Sequence, residues 1–343
     1  MKFAHYLSRS LIALLPSGAI AALAQAKEIN VYSARHYETD KEINTLFTEK
    51  TGIKVNYVQI KEASQILERL AAEGSKSPAD VFVSADVGNL WRAKSQGLTQ
   101  PWNDPKLAQI VPENLRDKDG HWMALTLRSR VLVYRKDRVK PEQISTYEDL
   151  IKPEFKGRIL VRSSSHVYNQ SLVASFIAHL GLASTQKWVE GVKANLARKP
   201  EGGDTDQIKA VAAGVGDIAI SNSYYFARLA SSSKAEDQAL IAKLGVLHPN
   251  QKDRGAHVNL SGVSLTKFAP NKESAKLYVQ FLLSPEVQEK FAKGSLEYPV
   301  LKSVPLDPSL QALGTPKWDS LDLNEIGKYT PEAVQLMDKY GWR

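Results

Sequence analysis

Between residues 28 and 84 the sequence switches repeatedly between a strand-like and a helix-like pattern, and this switching leaves few architectures open. Residues 28–33 (EINVYS), 54–59 (KVNYVQ) and 80–84 (DVFVS) read as strands, with helices expected over 40–50 and 63–73. Gly52 and Gly74 supply the stops, and Thr39-x-x-Glu42 has the spacing of a capping box. Strands separated by helices pair in parallel and are covered on both faces, so an α/β fold with mostly parallel sheets is expected. Ligands of such sheets bind beyond the carboxyl ends of the strands, which directs attention to the loops found there.

The first 26 residues fall outside this reasoning. Lys2 and Arg9 occur without acids, an apolar run extends from Leu11 to Ala24, and Ala24-Gln25-Ala26 has the form of a cleavage site. This is a signal peptide pattern, and it implies export, to the periplasm in a host with two membranes. The remaining 317 residues exceed what one core usually supports, so two domains are expected. No later apolar run approaches the roughly 20 residues needed to cross a bilayer. With no cysteine there is neither a disulfide nor a thiolate metal site. The net charge of +8 falls to +6 without the signal and is spread among many acids. A nucleic-acid partner would require a concentrated basic stripe, and none is present.

Further along, residues 122–134 and 258–266 are long segments suited to carrying the chain between two lobes. Residues 147–150, 159–161 and 244–248 read as strands. Helices are expected over 169–180, 205–214, 274–283, 285–293 and 330–340.

The most informative loop is Ser221-Asn222-Ser223-Tyr224-Tyr225-Phe226-Ala227-Arg228. Residues 217–221 form a short buried strand, the serines and Asn222 offer caps, and Tyr224 begins a helix. Neighbouring side chains on a regular strand point to opposite faces, and a strand-to-helix corner lets two adjacent phenols aim at one point. Paired phenols suggest a hard cation, because oxygen ligands suit hard ions and a phenol of pKa about 10 needs a strong Lewis acid to lose its proton near neutrality. Ferric iron fits. Core packing of both rings is the alternative. Two further strand-end loops carry His36 with Tyr37, and Tyr168 within Arg162-Ser163-Ser164-Ser165-His166-Val167-Tyr168. There is no dinucleotide or phosphate glycine loop, no His-Glu-x-x-His and no G-x-S-x-G. A hydrolase built on Ser164 and His166 lacks a recognised triad spacing. A binding protein of the same shape for an anion or small organic solute remains a competing reading.

The segments NVYSARHYETD, SPADVFVSADVGNLWRA, RSSSHVYNQS, EGGDTDQIKAVAAGVGDIAISNSYYFARL and EYPV, taken with the signal peptide, closely resemble the periplasmic ferric-iron-binding proteins of ABC importers, in particular their FutA-like branch. The resemblance extends over essentially the whole mature chain. It implies a two-lobed periplasmic-binding-protein fold of type II hinged by crossover strands. The N-terminal lobe is then expected over 27–127 plus about 255–305, and the C-terminal lobe over 128–254 plus about 306–343. It implies Fe3+ as transported ligand, with Tyr37, Tyr168, Tyr224, Tyr225 and His36 as metal ligands and Arg128 and Arg228 offsetting their charge. It further implies an inner-membrane ABC permease as partner, a ferric chelate or synergistic anion as a possible companion ligand, a monomeric state, and no catalysis. An acidic ligand often follows the third strand in this family. Here Ala85 stands at that position, with Asp86 beside it.

Overall fold

A computed structural model describes residues 27–343, and the signal-peptide segment lies outside the described residues. Among the described residues there are ten strands: β1 (Glu28–Ser33), β2 (Lys54–Gln59), β3 (Val81–Ser84), β4 (Thr99–Gln100), β5 (Met123–Arg135), β6 (Ile159–Leu160), β7 (Ile218–Asn222), β8 (Leu244–Leu247), β9 (Val258–Thr266) and β10 (Tyr298–Pro299). Their main path runs β2-β1-β3-β9-β5-β7-β6, with β4 on β9 and with β8 and β10 on β5.

β5 is the strand that makes this path continuous. Its first half, to Ser129, pairs with β9 and β10, whereas from Arg130 onward it pairs with β7 and β8. One strand therefore belongs to two sheets; it coincides with the expected segment 122–134, whereas 258–266 is β9, which pairs only with β3, β4 and β5 on the first side. All of β5 except Arg135 is buried. Period two divides its second half: Val131 and Val133 enter an apolar cluster with Ile208, Val211, Phe226 and Leu229, while Leu132 and Tyr134 face the larger core.

Several expectations need correction. The sheet is mixed, since β1/β2, β1/β3 and β6/β7 are parallel but every pairing made by β5 and β9 is antiparallel. These two strands run against the grain of the βαβ units. The helix Thr39–Thr51 has no capping box: Glu38 occupies the N-cap and makes no side-chain cap. Residues 147–150 form no strand but run into a short 3-10 turn, Glu148–Ile151. The helix expected over 169–180 continues to Ala194 as Val167–Ala194, bent at Gly181, whose φ of 75° breaks the helical run. The final helix, Leu323–Lys339, starts earlier than expected because Asp322 caps it through Asn324 N–H.

That final helix packs on both Val167–Ala194 and Val87–Ser95. Beyond it, the buried Trp342 packs against Trp188 with the rings tilted 54° and their centroids 5.8 Å apart, and its indole donates to Val189 O at 3.2 Å. Trp342 O accepts from Ser164 N–H at 2.7 Å, so the tail braces the serine-rich loop that precedes Tyr168. Trp342→Ala is expected to destabilise the protein by about 3 to 5 kcal/mol, as other buried aromatic truncations do, in a urea unfolding experiment.

Candidate metal centre

Each candidate ligand is delivered by a strand end. After β1 the chain is held by Ala34 N–H to Val83 O (2.8 Å), Arg35 N–H to Ser33 Oγ (3.1 Å) and Gln59 Nε2 to Arg35 O (2.7 Å). These bonds set Tyr37 facing inward, buried, while His36 stacks on it at 4.9 Å with its own ring solvent-exposed. After β6, His166 caps Val167–Ala194 by accepting Tyr168 N–H at Nδ1, 3.4 Å. Tyr168 is thereby fixed in the first turn. After β7, the helix Ser223–Ala230 turns Phe226 and Leu229 into the smaller cluster and leaves Tyr224 on the opposite flank. The expected capping by serines does not occur, since Ser221 Oγ donates to Asn222 O and Ser223 Oγ accepts from Ser129 N–H.

The structure brings the four tyrosines together. The hydroxyls of Tyr168 and Tyr224 are 3.0 Å apart, Tyr37 meets Tyr224 edge-on at 6.3 Å, and the half-buried Tyr225 lies 4.3 Å from Tyr224, centroid to centroid. Among the described residues no three His, Cys, Asp or Glu side chains gather as metal ligands. The converging donors are phenols. The predicted arginines are also near: Arg128 is buried 5.3 Å from the Tyr168 ring, and the exposed Arg228 is 5.7 Å from Tyr224 and 6.0 Å from Tyr225. Arg162 at 5.2 Å and Arg130 at 5.9 Å also face the Tyr168 ring, and Arg35 lies 4.8 Å from Tyr37.

Burial pushes the phenols of Tyr37, Tyr168 and Tyr224 well above the ordinary tyrosine value, with neighbouring phenols or Glu297 adding to the effect. Arg128 opposes it in all three. Desolvation, assisted by Arg35 and Arg228, holds His36 below the usual imidazole value, which favours its neutral form. Asp86 does not serve as a free acidic ligand: its carboxylate accepts from Gly88 N–H, Ser171 Oγ and Asn259 Nδ2, each at 2.8 Å. Ala85 contributes its backbone carbonyl to Arg128.

Sequence reasoning assigned no role to Glu297, which is fully buried behind Tyr37. It accepts the Tyr37 hydroxyl at 3.0 Å and Ser261 Oγ at 3.1 Å, is bonded to Thr126, and pairs with Arg128 at 3.4 Å. Burial raises its pKa, but Arg128 and Arg35 outweigh this and hold it below the usual carboxylate range. The 260 positions between Glu297 and Tyr37 leave no local signal for the contact. Beside Tyr168 opens a cleft of about 420 Å³ whose lining includes Lys61, Arg92, Arg162, Ser64, Ser165 and His166.

Residues 76–324 match the family model described as bacterial extracellular solute-binding protein. The chain belongs to that family. Iron uptake protein A2 of Synechocystis is 46% identical to this solute-binding protein over 324 residues, covering 94% of this chain and 92% of the relative. The Trichodesmium FutA structure in complex with iron and citrate superposes with a TM-score of 0.88 at 48% identity, covering 92% of this chain and all of that one. The Campylobacter jejuni ferric binding protein gives 0.86 at 42%, with coverage of 92% and 100%. The two-lobed fold expected of the solute-binding protein is thus that of its relatives.

The raised phenol pKa values have a consequence for stability. An unfolded tyrosine ionises near pH 10, so above that pH the unfolded state binds fewer protons than the folded one and stability falls. Below about pH 10 the contribution is fully present. Alkaline titration of the folded protein, followed by phenolate absorbance, is expected to leave Tyr37, Tyr168 and Tyr224 silent until unfolding, whereas the chain in denaturant titrates all its tyrosines near pH 10.

Proposed function

We propose that this protein captures ferric iron between its lobes and delivers it to an ABC permease of the inner membrane, acting in the periplasm as a monomer and without catalysis. The observation that carries this reading is the 3.0 Å approach of the Tyr168 and Tyr224 hydroxyls, with Tyr37 and Tyr225 around them. Such a set of hard oxygen donors suits a trivalent cation. The ligands are Tyr37, Tyr168, Tyr224 and Tyr225, with His36 at the rim. Four phenolates around Fe3+ leave one surplus negative charge, and Arg128 and Arg228 offset it. The lobes divide where β5 changes partners, between Ser129 and Arg130, and before β9.

In this cycle the C-terminal lobe presents Tyr168, Tyr224 and Tyr225 first, and closure adds Tyr37. Each phenol that coordinates iron releases its proton, so affinity falls as pH falls. The cleft lined by Lys61, Arg92 and Arg162 suits the carboxylates of a ferric chelate, in keeping with the citrate of the Trichodesmium relative.

The test is a titration of the chelator-stripped mature protein with ferric citrate. A visible phenolate-to-iron band saturating at one iron per chain is expected, with proton release in weak buffer, and Tyr224→Phe should abolish or strongly weaken it. No band at saturation would overturn the proposal and leave the anion-binding reading, in which Tyr224→Phe has little effect.

A further inference from the structure

One buried carboxylate that the metal reading does not use, Asp204, sits where the tyrosine-bearing segments meet. It is the first residue of the helix Asp204–Ala213 and is fully buried. Its Oδ2 accepts Asn222 N–H at 2.7 Å, two residues before Tyr224. The same oxygen takes Arg130 Nη1 of β5 at 2.6 Å. Its Oδ1 takes Arg162 Nη1 at 3.3 Å, from the loop that leads into Tyr168.

Two asparagines close the arrangement. Arg130 donates to Asn222 Oδ1 and to Asn169 Oδ1, each at 3.0 Å, and Asn169 Nδ2 returns to Arg162 O at 2.7 Å. Asn169 follows Tyr168 directly, and Asn222 ends the strand that delivers Tyr224. The spacing between the two phenols is therefore not fixed by their own contact, which is a single hydrogen bond between hydroxyls. It is fixed by backbone and side chains gathered around one carboxylate and two guanidiniums.

We infer that Asp204 is the positioning residue of the metal centre, setting the separation of Tyr168 and Tyr224 by tying the β6 loop, the end of β7 and the crossover strand β5 to one anion. This rests on the ferric-iron reading above. Asp204 touches no ligand atom and acts only through Arg162, Arg130 and Asn222. Within such a network, replacing the carboxylate by an amide keeps its shape and an acceptor for Asn222 N–H but leaves Arg130 and Arg162 without their counter-charge. The guanidiniums then repel each other and the Tyr168 loop shifts relative to Tyr224.

The experiment uses the full mature chain as wild type, Asp204→Asn, Arg162→Gln and the double variant. Each is titrated with ferric citrate, and its thermal transition is measured without iron. Asp204→Asn is expected to weaken iron binding about tenfold or more, as loss of supporting contacts around metal ligands does, and to move the phenolate-to-iron band. Arg162→Gln, which cuts the Tyr168 arm but also removes a cation from the cleft, should move the band in the same direction whether iron is supplied as citrate or as the uncharged tris-acetohydroxamate. The double variant should be less impaired than the two single effects combined. A purely structural Asp204 would lower the transition temperature and leave the band and affinity of the folded fraction unchanged, which overturns the inference. Should Asp204→Asn not fold, Arg162→Gln decides alone, and a wild-type band and affinity in that variant overturn it. A band in the wild type with unaffected variants refutes only this inference, whereas no wild-type band removes the iron reading and this one together.

Discussion

Arg128 is a fully buried cation placed where the two sheet systems meet. It lies on the half of β5 that pairs with β9, yet its guanidinium is 5.3 Å from the ring of Tyr168, which belongs to the other sheet system. Moving such a charge out of water costs several kcal/mol unless it is paired and hydrogen-bonded. Here Glu297 and Ser261 lie at 3.4 Å, Ala85 O accepts a bond, and Asp86 is 4.0 Å away. Burial alone would lower its pKa, but the carboxylates of Glu297 and Asp86 oppose this and the net shift is upward, so it stays charged. A permanent positive charge is thereby held against a cluster of neutral phenols. That background disfavours a bare cation but favours the anionic assembly formed once phenols have lost their protons.

The two carboxylates behind the phenols divide the work of holding them. Glu297 bonds directly to Tyr37 and to residues of β5 and β9, so it belongs to the side of the cleft built from β1 and β3. Asp204 bonds to no phenol and instead gathers the segments that carry Tyr168 and Tyr224. Asp86, the acid nearest the cleft in sequence terms, is occupied by one cap and two side-chain bonds. The carboxylates thus stand behind the donors, and the donors themselves are phenols. A hard, strongly acidic cation can displace phenolic protons, whereas a softer divalent ion competes for them poorly.

Much of this was legible in the sequence, and the legible part has a common cause. The bounds of β1, β2, β9 and the helix Ala63–Glu73 follow from local period and glycine stops. The loops bearing Tyr37, Tyr168 and Tyr224 were marked because a strand end is recognisable locally. What could not be read depends on distant residues. The mixed sheet arises because β5, which spans both sheets, and β9 run antiparallel to their neighbours, and nothing in their own residues gives the direction of those neighbours. The capping box at Thr39 had the right spacing, but Glu38 took the N-cap position. Glu297 and Asp204 reach Tyr37 and Arg130 across 260 and 74 positions, and a buried carboxylate looks like any surface acid until its partners are known.

The distribution of donors also bears on how the lobes close. Tyr168, Tyr224 and Tyr225 come from segments after β6 and β7, while Tyr37 comes from the segment after β1, so in the proposed cycle the closed arrangement is the one that places all four together. A ligand favours closure by the contacts it makes there and not in the open form. The phenols are not alone in crossing the cleft. Ser171 of the helix Val167–Ala194 donates to Asp86 at 2.8 Å, and the final helix packs on Val167–Ala194 and Val87–Ser95 together. These contacts make no use of a ligand, so part of the cost of ordering the two lobes is offset before any metal contact forms. The differential supplied by Tyr37 alone can then be modest and still shift the balance: a preference of about 1.4 kcal/mol changes the ratio of closed to open tenfold. In the proposed cycle a carrier that must release its cargo gains from this arrangement, because loss of the Tyr37 contact and a few polar contacts would reopen the site.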